Sequence, residues 1–143
     1  MPVVERSALV NYSAQQMFDL VNDIEAYPQY MDGCVGAQIL QRETDWLEAR
    51  LDLSKGGVRQ SFVTRNQLRP PQVMTMSLVD GPFARLDGRW QFTPLNDHAC
   101  KVSFTLDFEL QNRLLGMAVG KLFEGMVNKQ VDALCQRAKN IYA

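Results

Sequence analysis

The sequence predicts an α+β domain in which an antiparallel sheet curls around a long C-terminal helix. Six segments between residues 33 and 110 alternate apolar and polar side chains, as strands with one buried and one wet face do. Turn signals such as the Gly-Gly pair at 56–57 and the Asp-Gly-Pro run at 80–82 separate them. From about 112 to 141 the apolar spacing becomes helical, which predicts a helix about 40 Å long.

The segment before this sheet predicts one strand and two short helices. Residues 3–11 read as a strand, and Ser13 followed by Gln16 forms a capping-box pattern that marks a helix start. That helix should stop near 22–23, and a second helical turn should cover 25–31. The full prediction is a single domain over residues 1–143, with seven strands, two short helices after the first strand and the long helix last.

Length, charge and cysteine count exclude several classes of protein. The chain has 143 residues and a net charge of −1. Its overall charge therefore gives no electrostatic attraction to nucleic acid, and no DNA partner is expected. No apolar run approaches the ~20 residues of a membrane span, and no secretory signal is visible. Three widely spaced cysteines are expected to be reduced thiols, which favours a cytoplasmic location.

The sequence contains little that indicates a catalytic site or a metal site. The only histidine, His98, follows an Asn-Asp pair in a predicted turn, where solvent exposure argues against a catalytic triad. One histidine is too few for a His-rich metal site, and phosphate-binding glycine loops are absent. We therefore expect no catalytic residue and no metal ligand, and the chain is predicted not to be an enzyme.

The predicted helix at the C-terminus carries two apolar stripes that differ by very roughly 130° at helical periodicity. Either the helix bends and meets two sets of neighbours, or its first half borders a ligand cavity. The strand at 58–69 has a second pattern with two explanations. Its apolar face also carries Thr64 and Asn66, and its other face carries Arg59, Arg65 and Arg69. These arginines are either a basic stripe for RNA contact or part of an ordinary solvated face, countered by acidic neighbours.

The aromatic and methionine residues also leave two alternatives open. Flexible methionines and large rings on the predicted inner faces either fill an ordinary core or line a pocket for a long apolar molecule. A curved sheet around one helix tends to leave a cavity, which favours the pocket.

Several runs in the chain resemble the bacterial ribosome association toxin family. They include Leu-Val-Asn-Asp-Ile-Glu-Ala-Tyr-Pro at 20–28, Thr-Arg-Asn-Gln-Leu at 64–68 and Leu-Val-Asp-Gly-Pro-Phe at 78–83. Further similar runs lie at 7–17, 88–95 and 106–109, so the resemblance covers essentially the whole chain. One departure is Asp32, which stands before Gly33-Cys34 where the family often has proline.

That family belongs with the coenzyme Q-binding proteins of the START-like, polyketide cyclase-like superfamily, and the resemblance implies the helix-grip fold. It implies two functions. The first is binding of ubiquinone or a similar polyprenyl lipid, without a covalent cofactor, in support of respiratory electron transport. The alternative is binding of the large ribosomal subunit, which blocks subunit joining and inhibits translation. A transient contact with the inner membrane surface accompanies the first function.

Candidate contact residues follow from these expectations. For the lipid, the quinone head is expected near a pocket mouth and the tail along the last helix. The expected head contacts are Tyr27, Tyr30, Phe83 and Trp90, and the expected tail contacts are Leu115, Val119, Leu122 and Met126. For the ribosome, the expected contacts are Arg59, Arg65 and Arg69.

Overall fold

The strands and helices follow the predicted order. The computed structural model describes residues 3–55, 57–111 and 113–142, and within them every side chain except those of Val58, residues 113–119 and Leu122. The elements are β1 (Val3–Val10), α1 (Ala14–Asn22), a 3-10 helix (Ile24–Gln29), β2 (Cys34–Arg42), β3 (Trp46–Lys55), β4 (Val58–Arg69), β5 (Val73–Asp80), β6 (Phe83–Asn96), β7 (Ala99–Leu110), α2 (Arg113–Asn128) and α3 (Gln130–Tyr142).

The seven strands form one antiparallel sheet in the order β1-β7-β6-β5-β4-β3-β2. Each strand from β2 to β6 pairs with the next one along the chain, as hairpin connections require. β1 pairs with β7, so the two short helices connect one edge strand to the other edge. This is the predicted seven-stranded sheet, in which β2 to β7 form a meander and β1 is added beside β7.

Strand alternation gives the sheet its buried face. On β6 and β7, residues such as Trp90, Phe92 and Phe104 are at most 2% exposed, whereas Arg89 and Gln91 face solvent. The start of α1 is fixed by the predicted capping box. The Gln16 backbone N–H donates to Ser13 Oγ over 3.1 Å, and the Ser13 N–H donates to Gln16 Oε1 over 2.9 Å. This cap sets the point at which the chain leaves the sheet edge.

The C-terminal helix differs from the prediction of one continuous helix, because it is interrupted at Lys129. There the Lys129 N–H donates to the Met126 carbonyl over 3.1 Å, a tighter i−3 bond in place of the α-helical i−4 bond. α2 contacts β1, β4 and β7, whereas α3 contacts α1, β1 and β7, so the two helices share β1 and β7 and differ in β4 and α1. No helix in the described ranges is long and apolar enough to cross a membrane.

Candidate functional site

A cavity of about 60 Å³ lies between the inner face of the sheet and the helices. Its wall combines residues of five strands with residues of the 3-10 helix, α2 and α3. Most of the lining is apolar or aromatic: Ile24, Tyr27, Ala49, Leu51, Phe62, Met76, Leu86, Trp90, Phe104, Leu106, Phe123 and Val127. The remaining lining residues are Thr64, Asn66 and Gln130. Such a wall suits a largely apolar molecule that carries a few polar atoms.

Trp90 forms the deep part of this wall. Its indole is 1% exposed and packs on Phe104 with ring centroids 4.4 Å apart. Trp90 was predicted to lie near the mouth of a pocket. The structure places it inside instead, because it lies in the middle of β6, a central strand of the sheet, opposite Met74 of β5.

Phe83, also expected near the mouth, lies in a cluster of four aromatic rings. It packs against Phe62, Phe108 and Phe123, with centroid distances of 5.6, 6.2 and 5.0 Å. Phe62 and Phe123 of this cluster also line the cavity. Phe83 therefore stands behind the cavity wall and fixes α2 against the sheet.

Two polar side chains are buried in the cavity wall. Thr64 and Asn66 are 5% and 3% exposed, and they are the only buried polar residues among the side chains that the structure describes. The Thr64 hydroxyl lies 2.9 Å from Asn66 Oδ1 and donates to it. Both residues were predicted to lie on the apolar face of this strand, but neither was predicted to contact a ligand. The sequence did contain an indication of their role, since these two polar residues interrupt an otherwise apolar strand face.

A narrow neck of about 20 Å³ adjoins the cavity, and six residues of the cavity wall also border it. The neck adds Met31, Cys34, Leu53 and Met126 to the lining. Burial raises the pKa of the Cys34 thiol, so this group stays a neutral part of the wall. Met126, expected to contact the ligand tail, thus lies at the neck.

Tyr27 borders both the cavity and the neck. Its hydroxyl donates to the Val21 carbonyl at the end of α1. Burial raises the pKa of Tyr27 well above its ordinary value, so the phenol stays protonated. The hydroxyl already donates its hydrogen bond within the fold, and the ring is the part of Tyr27 that faces the cavity.

Beyond the neck lies a surface groove of about 490 Å³, at the junction of α2 and α3. Met31 and Met126 border both neck and groove, and Gln130 borders all three spaces. Cavity, neck and groove therefore lie in series. The other groove residues are mostly polar or charged: Tyr30, Asp32, Lys129, Asp132, Ala133 and Gln136.

Tyr30 supplies one wall of the groove, with the Arg137 guanidinium 5.1 Å from its ring centroid. Its hydroxyl oxygen is buried and has no hydrogen-bond partner among the residues described. Burial raises the pKa of Tyr30, although the positive charge of Arg137 acts in the opposite direction. Of the four residues expected at the mouth, Tyr30 is the one that lies there.

Asp32 lies at the rim of the groove and forms an ion pair with Lys55. The hydrogen bond from Lys55 lowers the pKa of the Asp32 carboxyl, with a smaller contribution from the charge of Lys129. Next to it, the Ser54 N–H donates to the Gly33 carbonyl over 2.9 Å. The residue that departs from the family pattern thus ties the loop at the neck to the end of β3.

Leu115, Val119 and Leu122, the other expected tail contacts, lie in α2. Their side chains are outside those that the structure describes, so their contact with a ligand remains a prediction.

The arginine face of β4 is not a basic stripe. Arg59, Arg65 and Arg69 are all exposed on the outer face of the sheet. Arg65 pairs with Glu48 at 2.6 Å and stacks on Trp46 with its guanidinium carbon 4.3 Å from the ring centroid. In the register of β3 and β4, Lys55 lies opposite Val58 and Glu48 lies opposite Arg65.

The remainder of that face is also of mixed charge. Arg50 pairs with Asp52 at 2.9 Å, and Ser61 donates to the same carboxylate over 2.6 Å. These hydrogen bonds lower the pKa of Asp52. Of the two explanations left open by the sequence, a solvated face countered by acidic residues agrees with this geometry. Arg59 and Arg69 remain exposed cations at the two ends of β4.

Comparisons with known proteins agree with this architecture. Residues 10–135 match the family described as polyketide cyclase/dehydrase and lipid transport. The crystal structure of the ZhuI aromatase/cyclase from Streptomyces superposes with a TM-score of 0.87 at 16% identity, covering 99% of this chain and 96% of that one. At this identity the likeness shows the helix-grip fold alone.

Two curated relatives are similar over nearly the whole chain. The ribosome association toxin of Escherichia coli K12 is 47% identical over 143 residues, which cover 100% of this chain and 90% of that protein. A mitochondrial coenzyme Q-binding protein of Xenopus laevis is 24% identical over 140 residues, covering 95% of this chain and 57% of that protein. The chain belongs to the polyketide cyclase/dehydrase and lipid transport family and, among its members, to the ribosome association toxins.

Proposed function

We propose that the chain is a non-enzymatic carrier of a hydrophobic ligand, and that the ligand is a polyprenyl quinone such as ubiquinone. The observation that carries this proposal is the apolar cavity, which leads through a neck to a polar surface groove. A quinone joins a ring with a few oxygen atoms to a long apolar tail, and this wall suits both parts. Each buried methylene of the tail contributes ~0.8 kcal/mol, so the tail would dominate the affinity. The name of the Xenopus relative supports the same ligand class.

Uptake of such a ligand requires the neck to widen. A volume of about 60 Å³ holds a few water molecules, not a substituted ring with its tail. Met31 and Met126 border the neck, and methionine side chains are flexible enough to repack around an entering chain. We expect the protein to work in the cytoplasm, with transient contact to the inner membrane, where quinones dissolve, and to support respiratory electron transport.

The cavity wall gives little support for catalysis. Among its described residues Tyr27 is the only ionisable one, and its hydroxyl is bonded to the Val21 carbonyl. General acid–base catalysis needs a group that can exchange a proton near neutral pH within reach of the substrate. His98 is exposed in the turn between β6 and β7, as predicted. A carrier is therefore a better fit than a cyclase.

Filling the cavity tests the carrier proposal. Ala49, 2% exposed and part of the wall, is changed to leucine; Ala49→Leu is compared with Ala84→Leu at an exposed position of β6. Both variants and the wild type are purified from a quinone-producing bacterium, extracted with organic solvent and analysed by mass spectrometry. Circular dichroism checks the fold, since overpacking can destabilise a core.

We expect near-stoichiometric quinone in the wild type and in Ala84→Leu, and at least about tenfold less in Ala49→Leu, the loss that 1.4 kcal/mol of affinity produces. A wild type without any enriched lipid would contradict the proposal. Equal quinone in the two variants would place the ligand elsewhere.

Association with the large ribosomal subunit is the second candidate function. The name of the relative at 47% identity, ribosome association toxin, supports the ribosome as a partner. The exposed Arg59 and Arg69 on β4 are the cations that such a contact would use, whereas Arg65 is already paired with Glu48. A contact made by cations to phosphates weakens as salt rises, because bound counterions are released.

Charge reversal tests this second candidate. The double variant Arg59→Glu, Arg69→Glu is sedimented with isolated large subunits at two salt concentrations. A variant with Lys101→Glu, an exposed cation on β7, serves as the control. We expect the double variant to stay in the supernatant while the control still sediments. Unchanged sedimentation of the double variant would show that this face is not the contact.

A further inference from the structure

The buried pair Thr64 and Asn66 has a hydrogen-bonding capacity that the fold does not use. The Thr64 hydroxyl donates to Asn66 Oδ1, so the amide oxygen has a partner. Asn66 Nδ2 lies 3.7 Å from Met74 Sδ, and a thioether is a weak acceptor. The amide nitrogen carries two N–H donors, so at least one of them has no strong acceptor among the described residues.

The orientation of this amide follows from its neighbours. The reverse flip would place the amide oxygen against the Met74 sulfur, which has no hydrogen to donate. In the observed orientation the oxygen receives the Thr64 hydroxyl and the nitrogen faces the sulfur. The pair therefore presents a donor, rather than an acceptor, next to the cavity that both residues line.

A buried amide donor without an acceptor is unfavourable, and a wall built only for packing would carry apolar residues of similar shape at these positions. The cavity has space for a few water molecules that could accept this hydrogen bond. An oxygen atom of a ligand that replaces such a water would gain the same hydrogen bond.

The pair also lies at the inner end of the site. Phe62 borders the neck, and Thr64 and Asn66 follow it two and four residues further along β4. At ~3.3 Å per residue, Asn66 is ~13 Å along the strand from Phe62. Its neighbour Met74 lies opposite Trp90 in the register of β5 and β6.

We infer that Asn66, held by Thr64, is an anchor that donates a hydrogen bond to an oxygen atom on the ring of the ligand. This inference rests on the carrier function proposed above and deepens it. The ligand enters ring first, with the oxygen-bearing ring beside Asn66 and Trp90. The tail runs back past Phe62 to the neck between Met31 and Met126. This orientation is the reverse of the one expected from sequence, in which the ring stays at the mouth.

Two probes with the same tail separate recognition of the ring oxygen from burial of the tail. One is a ubiquinone with two isoprene units, and the other carries the same tail on a benzene ring without oxygen. Binding of both is measured by equilibrium dialysis to wild type, Asn66→Leu and Thr64→Val. Asn140→Leu, which makes the same change at an exposed position of α3, is the control.

We expect Asn66→Leu to weaken the quinone about five- to tenfold, the effect of one buried hydrogen bond, and to leave the hydrocarbon as tight or tighter. Thr64→Val removes the donor that holds the amide, so it should weaken the quinone selectively but less. Asn140→Leu should change neither. If Asn66→Leu does not fold, the inference is tested by Thr64→Val alone, which should weaken binding of the quinone but not of the hydrocarbon.

The remaining outcomes overturn the inference in distinguishable ways. If the wild type binds both probes and the variants weaken them equally or not at all, the pair is structural, and the carrier function survives without the anchor. If the wild type binds neither probe, the carrier function itself fails.

Discussion

Met126 packs directly against the backbone of Gly33, at the neck between cavity and groove. A Cβ built at Gly33 would lie 2.9 Å from Met126 Sδ, closer than real Cβ atoms approach a neighbour. Gly33 also has a φ of +86°, a backbone conformation that residues with side chains rarely adopt. This contact joins the loop before β2 to the end of α2, the two segments that must separate for a long ligand to enter.

Gly33→Ala should therefore destabilise the protein for two reasons, the positive φ and the collision with Met126. Gly57→Ala is the matched control, because Gly57 has a φ of +81° and nothing within 4 Å of its added Cβ. The control should lose ~1 kcal/mol of unfolding free energy, the cost of the left-handed conformation, and Gly33→Ala should lose more. Urea denaturation measures both. Equal losses of unfolding free energy in the two variants would mean that the Met126 side chain moves aside without cost and does not keep the neck closed.

Gly88→Ala should narrow the cavity from the sheet side. The added Cβ would lie 2.5 Å from Met76 Cε and 2.9 Å from Leu106 Cδ1, and both side chains line the cavity. These are the ends of flexible side chains, so they should move into the cavity without unfolding the protein, at the ~1–3 kcal/mol that an overpacked core usually costs. We expect less bound quinone in a protein that still folds but has a lower unfolding temperature.

The control for this change is Gly125→Ala in α2, where the added Cβ meets nothing within 4 Å. It should keep its ligand and gain up to ~1 kcal/mol of helix stability. A Gly88→Ala protein that carries as much quinone as Gly125→Ala would argue against a ligand beside Met76 and Leu106.

The ion pair of Asp32 and Lys55 should make the loop at the neck sensitive to acid. The pKa of Asp32 is lowered in the folded protein, so the pair stabilises the fold above the ordinary aspartate pKa of ~3.9. That contribution is lost as the pH falls through the lowered pKa. In Lys55→Gln the pKa of Asp32 should rise toward the ordinary value, which an NMR titration of the carboxyl resonance measures.

Lys129→Gln is the control for that titration, because the charge of Lys129 contributes less to the shift. It should raise the pKa of Asp32 by a smaller amount. If the two variants shift the carboxyl equally, the pair with Lys55 does not hold the loop.

Much of the fold was predictable because it depends on local patterns. Alternation identified the strand faces, and Ser13 with Gln16 identified the start of α1. The break at Lys129 was not predictable, since lysine favours helices and the apolar spacing continues on both sides. It coincides with a change in long-range contacts, since α2 contacts β4 and α3 contacts α1.

The site was predictable only in part, for a related reason. Periodicity tells which face of a strand is buried, but not how far along the cavity a residue lies. Trp90 and Phe83 were therefore assigned to the mouth although they lie inside. The pairing of Arg65 with Glu48 could have been found by counting back from the turn at 56–57.

The location of the ligand is tested most directly by the two tryptophans of the chain. Trp90 lines the cavity, and Trp46 lies on the outer face under Arg65, so their indole N–H resonances report on the two surfaces separately. ¹⁵N-labelled protein is titrated with the ubiquinone that carries two isoprene units. A quinone in the cavity should shift the Trp90 indole resonance and leave that of Trp46 in place. A Trp90 resonance that stays fixed at saturating quinone, or a shift confined to Trp46, would contradict the proposed function.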